Sequence, residues 1–119
     1  MNERINFVTH DDKDILYCDF STLMTNKFIE LLDECYEFIK TKIDLLILFD
    51  VTEASVFGDA FEHAKDFAKK IQPYRKKSAL IGISAPKQML LKSILLFSGS
   101  SKKVQAFSTK EDALDWLAK

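Results

Sequence analysis

Residues Ile43 to Thr52 read Ile-Asp-Leu-Leu-Ile-Leu-Phe-Asp-Val-Thr, with five consecutive apolar residues, Leu45 to Phe49, held between Asp44 and Asp50. The run is too short for a helix and apolar at every position, so it predicts a strand covered on both faces. Such a strand belongs in the middle of an α/β sheet. Asp50, Val51 and Thr52 then stand where it leaves the sheet, the end at which open α/β sheets carry their sites.

Upstream of this strand, Phe28, Leu31, Leu32, Cys35, Phe38 and Ile39 recur at spacings of three and four, which predicts an amphipathic helix starting at Thr25, with Ser21 to Thr25 offering hydroxyl caps. Tyr36 falls off the stripe and is expected at the surface. Before the helix, Ile5 to His10 alternates and Ile15 to Asp19 follows the Asp11-Asp12-Lys13 turn, so the chain opens with an antiparallel hairpin.

Downstream, Glu53 to Asp59 reads as a loop, with Asp59 capping a helix whose inner face is Phe61, Ala64, Phe67, Ala68 and Ile71. Pro73 ends it. Ser78 to Ile83 is a strand with Gly82 inside it, where a neighbour can come close. Ser84 and Pro86 open a third helix through Met89 to Phe97, in which Leu90, Leu91, Ile94, Leu95 and Phe97 cannot all face one core because successive residues diverge by about 100°. Lys103 to Phe107 is an edge strand, and Ser108 with Glu111 forms a capping box for a terminal helix. The order is β-β-α-β-α-β-α-β-α, which predicts a mixed, mostly parallel five-stranded sheet with four helices.

The 119 residues, 47% apolar and 29% charged, fit one soluble globular domain spanning 1–119. Cys18 and Cys35 have no metal-ligand spacing and read as buried thiols, and the polar start Met1-Asn-Glu-Arg4 has no apolar run after it, so a cytoplasmic protein without signal peptide is expected. Residues 1–63 hold fourteen acidic and five basic groups, net −9, and residues 64–119 hold four acidic and twelve basic groups, net +8. That polarity suits solvated helix faces, an acidic partner or self-association. His10 and His63 could each serve a metal or act as a general base, but no second ligand supports either role, so no metal is expected. Without a glycine-rich phosphate loop or a nucleophile and base at catalytic spacing, no enzyme activity and no cofactor are expected. The basic residues are not interleaved with aromatics, which argues against nucleic acid.

Taken together, Tyr17-Cys-Asp-Phe-Ser21, the strand Leu45 to Phe49 with Asp50-Val-Thr52, the strand Ala79 to Ile83 after a basic run, and Phe107-Ser-Thr-Lys-Glu-Asp-Ala-Leu-Asp-Trp-Leu117 resemble STAS domains, and more narrowly the branch of stage II sporulation protein AA-like proteins. The resemblance spans nearly the whole chain and implies a non-catalytic regulatory module that binds a protein partner, such as a regulatory kinase or an anti-sigma-like factor. It also implies a phosphorylatable hydroxyl two residues after the aspartate ending the central strand. Here that position is Thr52, with Asp50 before it and Ser55 in the same loop. Glu53-Ala54-Ser55 stands where the antagonists have a glycine-containing turn. Asp50 and Thr52 also suit the plain closing of a loop by side-chain hydrogen bonds.

The same branch is similar in architecture to CRAL-TRIO lipid-binding domains. That implies an alternative role, binding an apolar ligand or a membrane surface through the helices 59–72 and 86–97, with Phe57, Phe61, Phe67 and the Met89 to Phe97 segment lining the site and Lys69, Lys70, Lys87 and Lys92 facing anionic lipid. The surplus leucines equally suit a homodimer contact.

Overall fold

A computed structural model describes residues 3–83 and 103–119. Ile5–His10 (β1) and Lys13–Asp19 (β2) form the opening hairpin. Its two turn residues, Asp11 and Asp12, both have positive φ (49° and 65°), the backbone that a two-residue turn needs to match strand twist. Thr25–Ile39 (α1) follows, then Leu45–Asp50 (β3), Asp59–Lys70 (α2), Arg75–Ile81 (β4), Val104–Phe107 (β5) and Lys110–Ala118 (α3). The sheet order is β1-β2-β3-β4-β5, antiparallel at β1/β2 and parallel elsewhere, so the apolar run at 45–49 is the central strand.

Side-chain alternation sends each strand's residues to two cores. Leu16, Cys18, Ile47 and Phe49 meet Phe28, Leu31, Leu32, Cys35 and Ile39 of α1 and Phe67 of α2 on one face. Ile15, Leu48, Ala79 and Ile81 meet Ala113 and Leu117 of α3 on the other. Ile47 and Leu48 are both fully buried, which is why this strand has to be apolar at consecutive positions. Cys18 and Cys35 are free, buried thiols.

Several boundaries differ from the sequence reading. The N-cap of α1 is Met24, with no side-chain cap, because the hydroxyls before it bond elsewhere in the loop. Asp59 lies inside the first turn of α2, after Gly58, so it favours the helix through its charge rather than as a cap. Ala60 joins Phe67 in the core, and Phe61 is half-buried beneath the Lys65 ammonium, 5.0 Å from its ring centroid. Tyr36 is half-buried, with the ammonium groups of Lys40 and Lys70 at 5.6 and 5.3 Å from its ring centroid. β4 begins at Arg75 and leaves Gly82 just beyond its end. At α3 the cap is Thr109, whose hydroxyl accepts from Asp112 N at 3.1 Å, one residue on from the expected Ser108. Three helices are seen among the described residues. The predicted helix at 86–97, with Leu90, Leu91, Ile94, Leu95 and Phe97, lies outside them. No described helix is long and apolar enough to cross a membrane.

Candidate functional site

The C-terminal ends of β2, β3 and β4 lie side by side, because these strands run parallel with Asp19 opposite Asp50 and Asp50 opposite Ile81. The chain leaving β3 is sewn to both neighbours. Val51 N donates to Ile81 O at 3.0 Å, Phe20 N to Asp50 O at 2.8 Å, and Thr22 N to Thr52 O at 2.8 Å.

Asp50 organises the corner. Its Oδ1 accepts from Thr52 N at 3.0 Å and from Thr52 Oγ1 at 2.6 Å, and its Oδ2 accepts from the Tyr17 hydroxyl at 3.0 Å. A short acidic side chain bonding the backbone two residues on is how aspartate closes a turn. Burial first, then the hydrogen bond to Asp50, holds the Tyr17 phenol well above its usual range. Tyr17 therefore stays a donor. The Lys110 ammonium sits 4.3 Å from the Tyr17 ring centroid.

Gly82 makes the corner sterically possible. Its φ is +84°, and a β-carbon there would fall 2.5 Å from Thr52 N and 2.6 Å from Thr52 Cα. Only glycine combines that backbone with that approach.

Asp19-Phe20-Ser21 repeats Asp50-Val51-Thr52 on the adjacent strand. Asp19 Oδ1 accepts from Ser21 N at 2.9 Å and from Ser21 Oγ at 2.5 Å. Arg4 Nη1 donates to Asp19 O and Ser21 O, both at 3.0 Å, and lies 3.7 Å from the Asp19 carboxylate. The repeated Asp-x-Ser/Thr pattern is visible in the sequence, and it is the signal by which Asp19 and Ser21 could have been added to Asp50 and Thr52.

Thr52 and Glu53 are exposed, Ser55 is half-buried, and Glu53 takes a positive φ of 55°. Ser55 N donates to Leu23 O at 2.9 Å, joining the loop after β3 to the loop before α1. Each of these loops carries a large apolar side chain in solvent, Met24 at 66% and Phe57 at 51% exposure. The aromatic set expected to line an apolar site is split. Phe57 is in water, Phe61 is half-buried, and Phe67 is in the core, edge-on to Phe49 with ring centroids 5.7 Å apart.

At the other end of the hairpin, His10 Nε2 lies 2.6 Å from Asp115 Oδ1 of α3 and 3.7 Å from Asp11 Oδ2. Asp11 is the next residue in the sequence, but Asp115, the shorter contact, is 105 residues away and leaves no trace in local spacing. The three side chains offer ligand atoms within 4.8 Å of one another. The Asp115 hydrogen bond is the main cause that raises the His10 pKa.

No protein-family model and no curated protein matches the sequence. Among solved structures, the chain is similar to an anti-sigma-factor antagonist (STAS) domain protein from Planctomyces limnophilus, with a TM-score of 0.61 and 17% sequence identity over 97% of this chain and 98% of that one. The chain thus has the fold of a STAS domain.

Proposed function

We propose that the chain is a non-catalytic regulatory module that binds a protein partner through the surface formed by Asp50 to Ser55 with Met24 and Phe57, and that Thr52 is its switch. The observation that carries this reading is the exposed Thr52 hydroxyl, held by Asp50 on a corner flanked by two solvent-exposed apolar side chains. Exposed apolar groups rimmed by polar ones suit a protein interface.

Phosphorylation would act on this corner locally. The Thr52 hydroxyl would lose the hydrogen bond it donates to Asp50 and gain roughly 1.5 to 2 negative charges beside that carboxylate. Thr52 lies well before α2, which begins at Asp59, so the N-terminus of α2 does not offset the repulsion. The corner, packed without slack against Gly82, would open, carrying the loop that bears Phe57 with it.

The test is capture of partners on the immobilised chain, comparing wild type, Thr52→Glu and Met24→Asp/Phe57→Asp. A protein retained by wild type and released by both variants supports the reading; retention unchanged by either refutes it. The apolar-ligand reading has less support, since Phe57 and Phe67 point to different environments. A lipid co-purifying with the chain, or vesicle binding lost at high salt, would restore it.

A further inference from the structure

We propose that two copies of the chain pair through β1, antiparallel about a two-fold axis at Phe7, to make one continuous sheet with five strands from each copy. Among the described residues β1 has a single strand neighbour, β2, so one side of its backbone is a free edge.

The register follows from the hairpin. His10 opposite Lys13 closes the turn, and Asp19 N donates to Arg4 O at 2.8 Å. In an antiparallel ladder the hydrogen-bonding direction alternates, so Arg4, Asn6, Val8 and His10 turn their backbone groups to β2. Ile5, Phe7 and Thr9 turn theirs outward. A two-fold axis at Phe7 sets Phe7 opposite the second copy's Phe7 and Ile5 opposite the second copy's Thr9. Every outward group then meets another outward group, and each of these opposed pairs exchanges two hydrogen bonds.

Among the described residues the edge lacks the usual protection against this pairing. Sheet edges are normally guarded by charged side chains, proline, bulges or shortness. Ile5-Asn-Phe-Val-Thr-His10 contains no Lys, Arg, Asp, Glu or Pro, and its pairing with β2 is regular throughout. The opposite edge, β5, is only four residues long and follows Lys103. Phe7 is 43% exposed, edge-on to Phe38 of α1 at 5.8 Å between ring centroids, so in the pair it would meet its own counterpart on the α1 face.

The ends are complementary in charge. On the α3 face, the same register sets Arg4 of one copy opposite the second copy's His10, on which the Asp11 and Asp115 carboxylates converge. Symmetry makes this contact twice.

The experiment is analytical ultracentrifugation over a concentration series with the wild type, Phe7→Pro, Phe7→Lys and Phe7→Glu. Proline at 7 removes an outward N–H and leaves the β1/β2 ladder intact. The wild type is expected to reach the mass of two chains and Phe7→Pro to stay at one. Should Phe7→Pro lose its fold, judged by circular dichroism, the charged variants decide. Phe7→Lys and Phe7→Glu are each expected to be monomers, and an equimolar mixture of the two to form the dimer, because position 7 meets itself. Amide exchange at Ile5, Phe7 and Thr9 should slow as wild-type concentration rises. A wild type that stays monomeric throughout, a dimer indifferent to the charged variants, or a mixture that fails to pair overturns the proposal.

Discussion

Replacing Gly82 by alanine should damage the corner after β3 more than any other single methyl addition. The new β-carbon would lie 2.6 Å from Thr52 Cα, whereas carbon atoms in contact sit at about 3.5–4.0 Å, so the loop must retreat by about 1 Å. The left-handed backbone at φ +84° adds about 1–2 kcal/mol for any residue with a β-carbon. Retreat of Thr52 also weakens its bonds to Asp50 and Thr22, each contributing about 0.5–1.5 kcal/mol. The sum is a loss of about 2–5 kcal/mol. Urea unfolding measures it: with a slope of about 2 kcal/mol per molar, the midpoint should fall by about 1–2.5 M. Gly58→Ala is the control, because the backbone there (φ +59°, ψ −125°) also favours glycine but nothing lies within 4 Å of the added carbon, so only a backbone cost of about 1–3 kcal/mol applies, with no steric displacement. If Gly82→Ala is no more destabilising than Gly58→Ala, the close approach of Thr52 is not a constraint and the reasoning fails.

Ultraviolet titration of the tyrosines should find Tyr17 ionising at markedly higher pH than an ordinary phenol, near pH 10. Asp50→Ala should bring it part of the way down, leaving the part due to burial; an unmoved Tyr17 would contradict the hydrogen bond. His10 should titrate above about 6.5 by NMR, and Asp115→Asn should lower it, since the Asp115 hydrogen bond is the leading cause. Because the folded pKa is the higher one, the stability gained from protonated His10 is complete below about pH 6.5 and is lost as pH rises through the folded value. Asp115→Asn should flatten that part of the stability profile. Cys18 and Cys35, both fully buried, should resist thiol reagents at neutral pH until denaturant is added, because their mutual hydrogen bond and burial keep Cys18 protonated. Rapid labelling of the native protein would contradict this.

The elements that carry a local signal were legible in the sequence. Leu45 to Phe49 specifies a doubly covered strand by itself, and the α1 stripe specifies its helix, since burial on one face leaves a periodic trace. The hairpin follows from its short connection, and the parallel pairing after it from crossovers through helices. Choices between near-equivalent neighbours were not legible. Ser108 and Thr109 can both cap α3, and one-residue differences in loop path decide between them. The basic run Arg75 to Lys77, ahead of the strand expected from Ser78, already belongs to β4, because pairing with β3 overrides composition.

At the candidate site, Asp50 and Thr52 were legible from their position at a strand end. Their partners were not. Tyr17 reaches Asp50 across a strand boundary, and Gly82 approaches Thr52 from the end of β4, contacts that exist only once three strands are in register. The same limit applies to Asp115 at His10.

The regulatory reading rests most directly on whether Thr52 accepts phosphate. Mass spectrometry should be run on the chain incubated with host extract and ATP, alongside Thr52→Val and Ser21→Ala. The account predicts phosphate on Thr52 in the wild type and in Ser21→Ala, and none at that site in Thr52→Val. A wild-type chain that stays unmodified, or that carries phosphate only at other residues, would contradict it.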